Sequence, residues 1–155
     1  MTVLAGQKAL ADDINAALAS CIGGEVRGSS TAAINTTETV WATTGSSALS
    51  LAASSTYEIE LRTTFNVTDA SGQFLFKIRE TDIAGTIRSQ SLSSNAVAAV
   101  PLAFGLSFLW TTTTATTLKW VATVDRIAGA GNIVIDGGSY LIATYKAPSG
   151  RIATI

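Results

Sequence analysis

Glu58 and Glu60 stand two residues apart on an alternating run, Tyr57-Glu58-Ile59-Glu60-Leu61. On one strand face such carboxylates lie roughly 6.5–7 Å apart, near the separation used by carboxylate pairs that hydrolyse glycosidic bonds. A general acid needs a raised pKa, however, and basic residues expected across a hairpin would lower it. Ion pairing is the better reading. Gly129-Ala130-Gly131-Asn132 opens like a dinucleotide fingerprint, but the sixth position is Val134 and no helical pattern follows. It reads as a hairpin turn. Cys21 has no resolving or basic neighbour and reads as a small buried hydrophobe. Asp12, Asp13, Asp69, Asp82, Asp125 and Asp136 are too dispersed for a calcium loop. Histidine is absent, which removes Ser-His-Asp and Cys-His nucleophiles and histidine-ligated zinc. No catalytic, cofactor-binding or metal-binding residue emerges. The expectation is a non-enzymatic module that holds or binds something.

Trp41, Trp110, Trp120, Tyr57, Tyr140 and Tyr145 have the side chains that stack on sugars, although an aromatic on an alternating strand more often belongs to a core. The hydroxyl- and amide-rich segments Thr111–Thr117 and Asn66–Gly72 are better candidates for contacts, since recognition tends to sit on loops carried by a rigid scaffold. Ten basic residues against eleven acidic ones leave a net charge of -1, without the basic excess a nucleic-acid backbone would require.

The elements that must carry these residues are mostly strands. The 155 residues suffice for one domain with a short appendage. They include 22 Thr, 13 Ile and 9 Val, whose stiff β-branched side chains suit a pleated, half-buried surface. Charged residues make up only 14%, against about 25% in an average globular protein. A surface so poor in charge suits a permanent assembly better than a free monomer. Met1 to Leu10 shows no secretory signal, and the apolar stretch Ala96 to Trp110 is broken by Pro101, Gly105 and Ser107. Neither a leader nor a membrane span is expected.

One helix is expected. Leu10, Ile14, Leu18 and Ile22 recur every four residues, Asp12 and Asp13 favour the start, and Gly23-Gly24 ends it. A short helix is marginal in water, so its stripe must dock on its own domain or on a larger particle. From about Ala32 the period falls to two. Strands are expected over 33–41, 47–52, 56–66, 73–80, 83–90, 97–101, 104–112, 117–126, 132–136 and 139–146, with turns at Asp69–Gly72 and Asp136–Gly138. The fold class is all-β, a jelly-roll-like two-sheet β-sandwich with a short N-terminal α-helix. Within it a hairpin is expected over Tyr57–Glu80. Pairing residues whose numbers sum to 137 sets Glu58 opposite Arg79, Glu60 opposite Lys77, Ile59 opposite Ile78 and Leu61 opposite Phe76.

Ser89 to Leu118 is a run of 30 residues without a charge. A half-exposed strand carries charges on its wet face, so this stretch is expected to be buried on both faces, the second against another subunit. Leu102, Phe104, Leu106, Ser107, Phe108 and Trp110 are the expected interface.

The opening Ala5-Gly6-Gln7-Lys8-Ala9-Leu10-Ala11-Asp12-Asp13-Ile14-Asn15-Ala16-Ala17-Leu18 resembles the short leader of tailed-phage structural proteins. Leu49–Glu60 is similar to the strand-turn-strand of small virion β-sandwich modules, and Gly138-Ser139-Tyr140-Leu141-Ile142 resembles their closing strand. The resemblance implies a non-enzymatic component on the exterior of a virion, of minor tail or fibre type, with host-surface attachment through a glycan as an added role. Residues 1–27 would attach to other virion proteins through Leu10, Ile14, Leu18 and Ile22. Residues 31–155 would form the sandwich and associate as a homotrimer, with no cofactor, nucleic acid or membrane insertion. A capsid decoration or head-fibre protein is the first alternative, and a free carbohydrate-binding module the second.

Overall fold

A computed structural model describes residues 30–44, 48–94, 98–135 and 139–148. The expected helix, its stripe Leu10, Ile14, Leu18 and Ile22, and Cys21 lie outside these residues. The described chain holds eleven strands: β1 (Ser30–Ile34), β2 (Thr39–Thr43), β3 (Leu49–Leu51), β4 (Ser55–Val67), β5 (Gln73–Glu80), β6 (Ile87–Ser94), β7 (Leu102–Thr112), β8 (Thr116–Leu118), β9 (Trp120–Ala128), β10 (Ile133–Ile135) and β11 (Tyr140–Pro148). The all-β sandwich expectation holds, but the two-sheet jelly roll does not, and the expected helix falls outside the described residues. Three antiparallel sheets form, and no helix occurs among the described residues. One sheet joins β1, β10, β4, β11 and β7; the second runs β2-β9-β5-β6; β3 and β8 make a separate two-stranded ribbon.

The central strand of the first sheet is β4, whose odd-numbered residues from Tyr57 to Val67 are all buried. One edge of β4 is paired along its length with β7, Ile59 opposite Phe108 and Leu61 opposite Leu106. The other edge is shared end to end by β10 and β11, Ile135 opposite Phe65 and Leu141 opposite Leu61. The second sheet covers this one. Phe76 of β5 stacks on Phe104 of β7 with ring centroids 4.5 Å apart, and Trp120 of β9 meets Phe108 and Trp110 edge-on at 6.5 and 6.0 Å. The core is therefore built from one face of each sheet, as alternation requires.

The Tyr57–Glu80 hairpin is not formed. The two runs are β4 and β5, which lie in different sheets, so Ile59 pairs with Phe108 and Ala143 instead of Ile78. The Asp69–Gly72 turn crosses from one sheet to the other. An arch of this kind turns the odd residues of β4 and the even residues of β5 inward, which is the same parity the hairpin needs. Alternation cannot tell the two apart. Gly129–Asn132 crosses the same gap between β9 and β10, so it too is no hairpin turn. The crossings lie side by side: Ala130 N–H donates to Ser71 Oγ at 3.1 Å, and Asn132 N–H to Thr68 Oγ1 at 2.8 Å. Gly129 (φ 71°) and Gly131 (φ 81°) take left-handed conformations there, and a methyl on Gly129 would stand 1.8 Å from the Ser71 carbonyl oxygen.

Other boundaries differ for local reasons. The expected strand 33–41 divides into β1 and β2 where Asn35 Oδ1 accepts the Thr37 N–H at 3.0 Å. The expected strand 83–90 begins late, because Thr81 (φ 66°), Asp82 and Gly85 form a turn closed by Gly85 N–H to the Asp82 carbonyl. Residues 98–101 are no strand: Ala99 is left-handed (φ 60°) and its N–H donates to the Val67 carbonyl. The runs around Asp136–Gly138, expected to form a hairpin, are β10 and β11, and both pair with β4.

Candidate functional site

Among the described residues the most connected charged group is Glu38, just before β2. It accepts hydrogen bonds from Arg79 Nε at 2.7 Å, Arg79 Nη2 at 2.9 Å, Lys77 Nζ at 2.9 Å and the Thr123 hydroxyl. Lys77 also reaches Asp125 at 2.7 Å. Two anions and two cations thus join β2, β5 and β9 on the face of their sheet opposite Phe74, Phe76 and Ile78. Burial raises the Glu38 pKa, but the hydrogen bonds from Arg79, Thr123 and Lys77 and the Lys77 charge outweigh it and hold the carboxyl at about 2. For Lys77 burial pulls the pKa down, and the hydrogen bonds to Asp125 and Glu38 bring the net shift upward. Glu38 is thus fixed as a charged acceptor, which suits a structural clamp and not a general acid.

Lys77 and Arg79 are thus taken, and Glu58 and Glu60 find other partners. Lys146 on β11 reaches Glu58 at 2.6 Å, and Arg62 reaches Glu60 at 2.6 Å. All four project outward from the five-stranded sheet. The paired state expected for the two glutamates is present with different cations. Beside them Gly105 leaves a shallow trough of about 440 Å³, lined by Glu60, Arg62, Ala103 and Ser107.

Much of the described part of the uncharged stretch lies on one side. It contains all of β6, the last strand of the four-stranded sheet, except Ile87 and Arg88, and the whole of β7, the last strand of the five-stranded one. These two edges lie next to each other without a ladder between them, and Ser89 Oγ donates across the gap to the Ser107 carbonyl at 3.4 Å. That carbonyl points away from β4. In an antiparallel strand the N–H and C=O of one residue share a side, so the odd-numbered residues of β7 aim theirs off the free edge. Of the six expected interface residues, Leu102, Phe104, Leu106, Phe108 and Trp110 are half-buried against the chain's own core, and Ser107 is exposed. The outward face consists of Ala103, Gly105, Ser107, Leu109 and Thr111. Leu109 is 55% exposed, Leu92 on β6 50%, Val100 in the connection 47% and Ile87 39%. Of the seven exposed large apolar side chains among the described residues, four therefore lie on β6, β7 or the link between them, which makes a patch.

At one end of this side is a cleft of about 350 Å³. Its floor is Trp110, and the Arg88 guanidinium lies over that ring, 4.8 Å from its centroid. Glu80 holds Arg88 at 2.7 Å. Thr111, Thr113, Thr114 and Thr116 continue the wall. Of the six aromatics weighed in the sequence, Trp41, Trp120 and Tyr57 are buried in the core, Tyr145 packs half-buried against it, and Tyr140 faces outward beside Arg62. Trp110 alone of the tryptophans is both half-buried and at a cleft. Sequence reasoning singled out the Thr111–Thr117 segment but missed Arg88 and Glu80. The signal was the position of Arg88, the last charge before the neutral run. Among the described residues no group of His, Cys, Asp and Glu could hold a metal, and no helix is long and apolar enough to cross a membrane.

No protein-family model matches the chain, and no curated protein matches it. Among solved structures it is similar to a chain of the "Structure of infectious bursal disease virus Gx strain", with a TM-score of 0.41 and 13% identity. The match covers 69% of this chain and 25% of that one, so this chain spans about a quarter of its length.

Proposed function

We propose that the chain is a non-enzymatic structural component on the exterior of a tailed-phage virion, and that it self-associates through the side formed by β6 and β7. The observation that carries this reading is the patch itself. Two neighbouring edge strands whose one charge is Arg88, held by Glu80, expose Leu92, Leu109 and Ile87, whereas soluble proteins usually guard such edges with lysine, proline or a covering segment. A second copy would cover the patch. The homotrimer and the minor tail or fibre role are the finer reading, supported by the sequence resemblance; host-surface attachment is its added function. Residues 1–27, with Leu10, Ile14, Leu18 and Ile22, would join the other virion proteins. The test is incorporation. The full chain carrying Ile14→Asp and Leu18→Asp should still self-associate but fail to enter particles when produced during infection in place of the unaltered chain. Normal incorporation would overturn the attachment role of that stripe.

A further inference from the structure

The cleft beside Trp110 has a chemistry that assembly does not require. Its charge is balanced, with one guanidinium and one carboxylate, and both are held in place before any ligand arrives. Arg88 uses Nε and Nη2 on a single oxygen of Glu80, at 2.8 and 2.7 Å. The second Glu80 oxygen and the Arg88 Nη1 group have no partner among the described residues. The cleft thus offers both a fixed acceptor and a fixed donor. Thr113, Thr114 and Thr116 add hydroxyls that likewise bond to no described group, each beside a methyl. Thr112 and Thr111, by contrast, are committed: Thr112 Oγ1 donates to the Ser55 carbonyl at 3.1 Å, and Thr111 Oγ1 meets Thr56 Oγ1 at 3.2 Å. The site therefore has a structural back wall and a free front wall. The indole N–H of Trp110 is buried without a partner.

We infer that this cleft binds a neutral saccharide. Every sugar hydroxyl both donates and accepts, so hydroxyls of one saccharide can meet both the free Glu80 oxygen and Arg88 Nη1. The methyl-and-hydroxyl wall of threonines matches the mixed C–H and O–H surface of a pyranose. An acidic sugar would meet the Glu80 carboxylate, which already neutralises Arg88. The cleft volume suits one or two residues of a chain running along the open side. This inference rests on the attachment role proposed above, but the cleft meets the outward face of β7 only at Thr111.

The test is a nuclear magnetic resonance titration of the full chain. The probes are neutral oligosaccharides of glucose, galactose, mannose and N-acetylglucosamine, with a uronic-acid oligosaccharide as the acidic one. One neutral probe should shift the Trp110 indole resonance and the Thr113, Thr114 and Thr116 amides at about millimolar concentration, and leave the Trp41 indole in place. Arg88→Gln should weaken binding about tenfold or more. Thr114→Val, on an exposed residue that no packing depends on, should weaken it less. Sedimentation of both variants should match the unaltered chain, so a loss of sugar binding is distinguishable from a loss of assembly. The inference is overturned if no neutral probe shifts these resonances, if only the acidic probe does, or if both variants bind as well as the unaltered chain.

Discussion

Glu38 shows how a single residue can order a sheet that its neighbours in sequence do not predict. Its carboxylate gathers Lys77, Arg79 and Thr123 from two other strands, so its loss would leave two poorly exposed cations short of a partner. Glu38→Gln should lower stability by about 2–4 kcal/mol, read as a drop in the urea midpoint at neutral pH with an unchanged slope. The pH dependence follows from the direction of the shift. The folded pKa of about 2 lies below the ordinary 4.5, so the stabilisation is complete above 4.5 and is lost as pH falls from 4.5 towards 2. Urea midpoints measured across that window should fall steeply for the unaltered chain and less for Glu38→Gln. An equal fall in both would assign the acid sensitivity to other carboxylates. The sequence displayed Glu38, Lys77 and Arg79 but not their meeting. Charge complementarity across an assumed hairpin was satisfied equally well by Glu58 and Glu60, and no local pattern brings a residue at 38 to one at 79.

At the scale of elements, the inter-sheet crossings carry the topology. Gly129 sits at φ 71° against the Ser71 carbonyl, so Gly129→Ala adds both backbone strain and a collision. It should destabilise the fold by about 1–3 kcal/mol, with Gly105→Ala as the control. The nearest atom to a methyl on Gly105 would be the Leu61 carbonyl oxygen at 3.8 Å, so that change should leave the thermal midpoint nearly unaltered. Similar loss in both would mean that the crossing is not tight. Most strands were legible because their apolar residues alternate: β4, β5 and β7 lie close to where the pattern puts them. Their pairing was not. A five-residue link can close a hairpin or an arch, both keep the same residues inward, and the choice depends on contacts tens of residues away. The third sheet, β3 with β8, was hidden for the same reason, since two three-residue strands give no period to read.

On the scale of the whole molecule, the absence of charge from Ser89 to Leu118 was visible in the sequence, while its gathering onto one side was not. Two edge strands from different sheets had to be brought together first. Part of that stretch is apolar because it fills the chain's own core, as Phe104 and Phe108 do. The remainder, on the odd-numbered face of β7 and on β6, has no such reason. An edge of this kind without a partner would invite uncontrolled aggregation, so a defined oligomer is the expected state. The most direct test is analytical ultracentrifugation at about micromolar concentration, a range in which specific complexes persist, on the unaltered chain, Ser107→Glu and Leu109→Glu. The unaltered chain should sediment as one defined oligomer. Each variant, charged on an exposed position, should keep the strand-rich circular dichroism spectrum and sediment as a monomer. A monomeric unaltered chain, or variants that assemble as it does, would contradict the account.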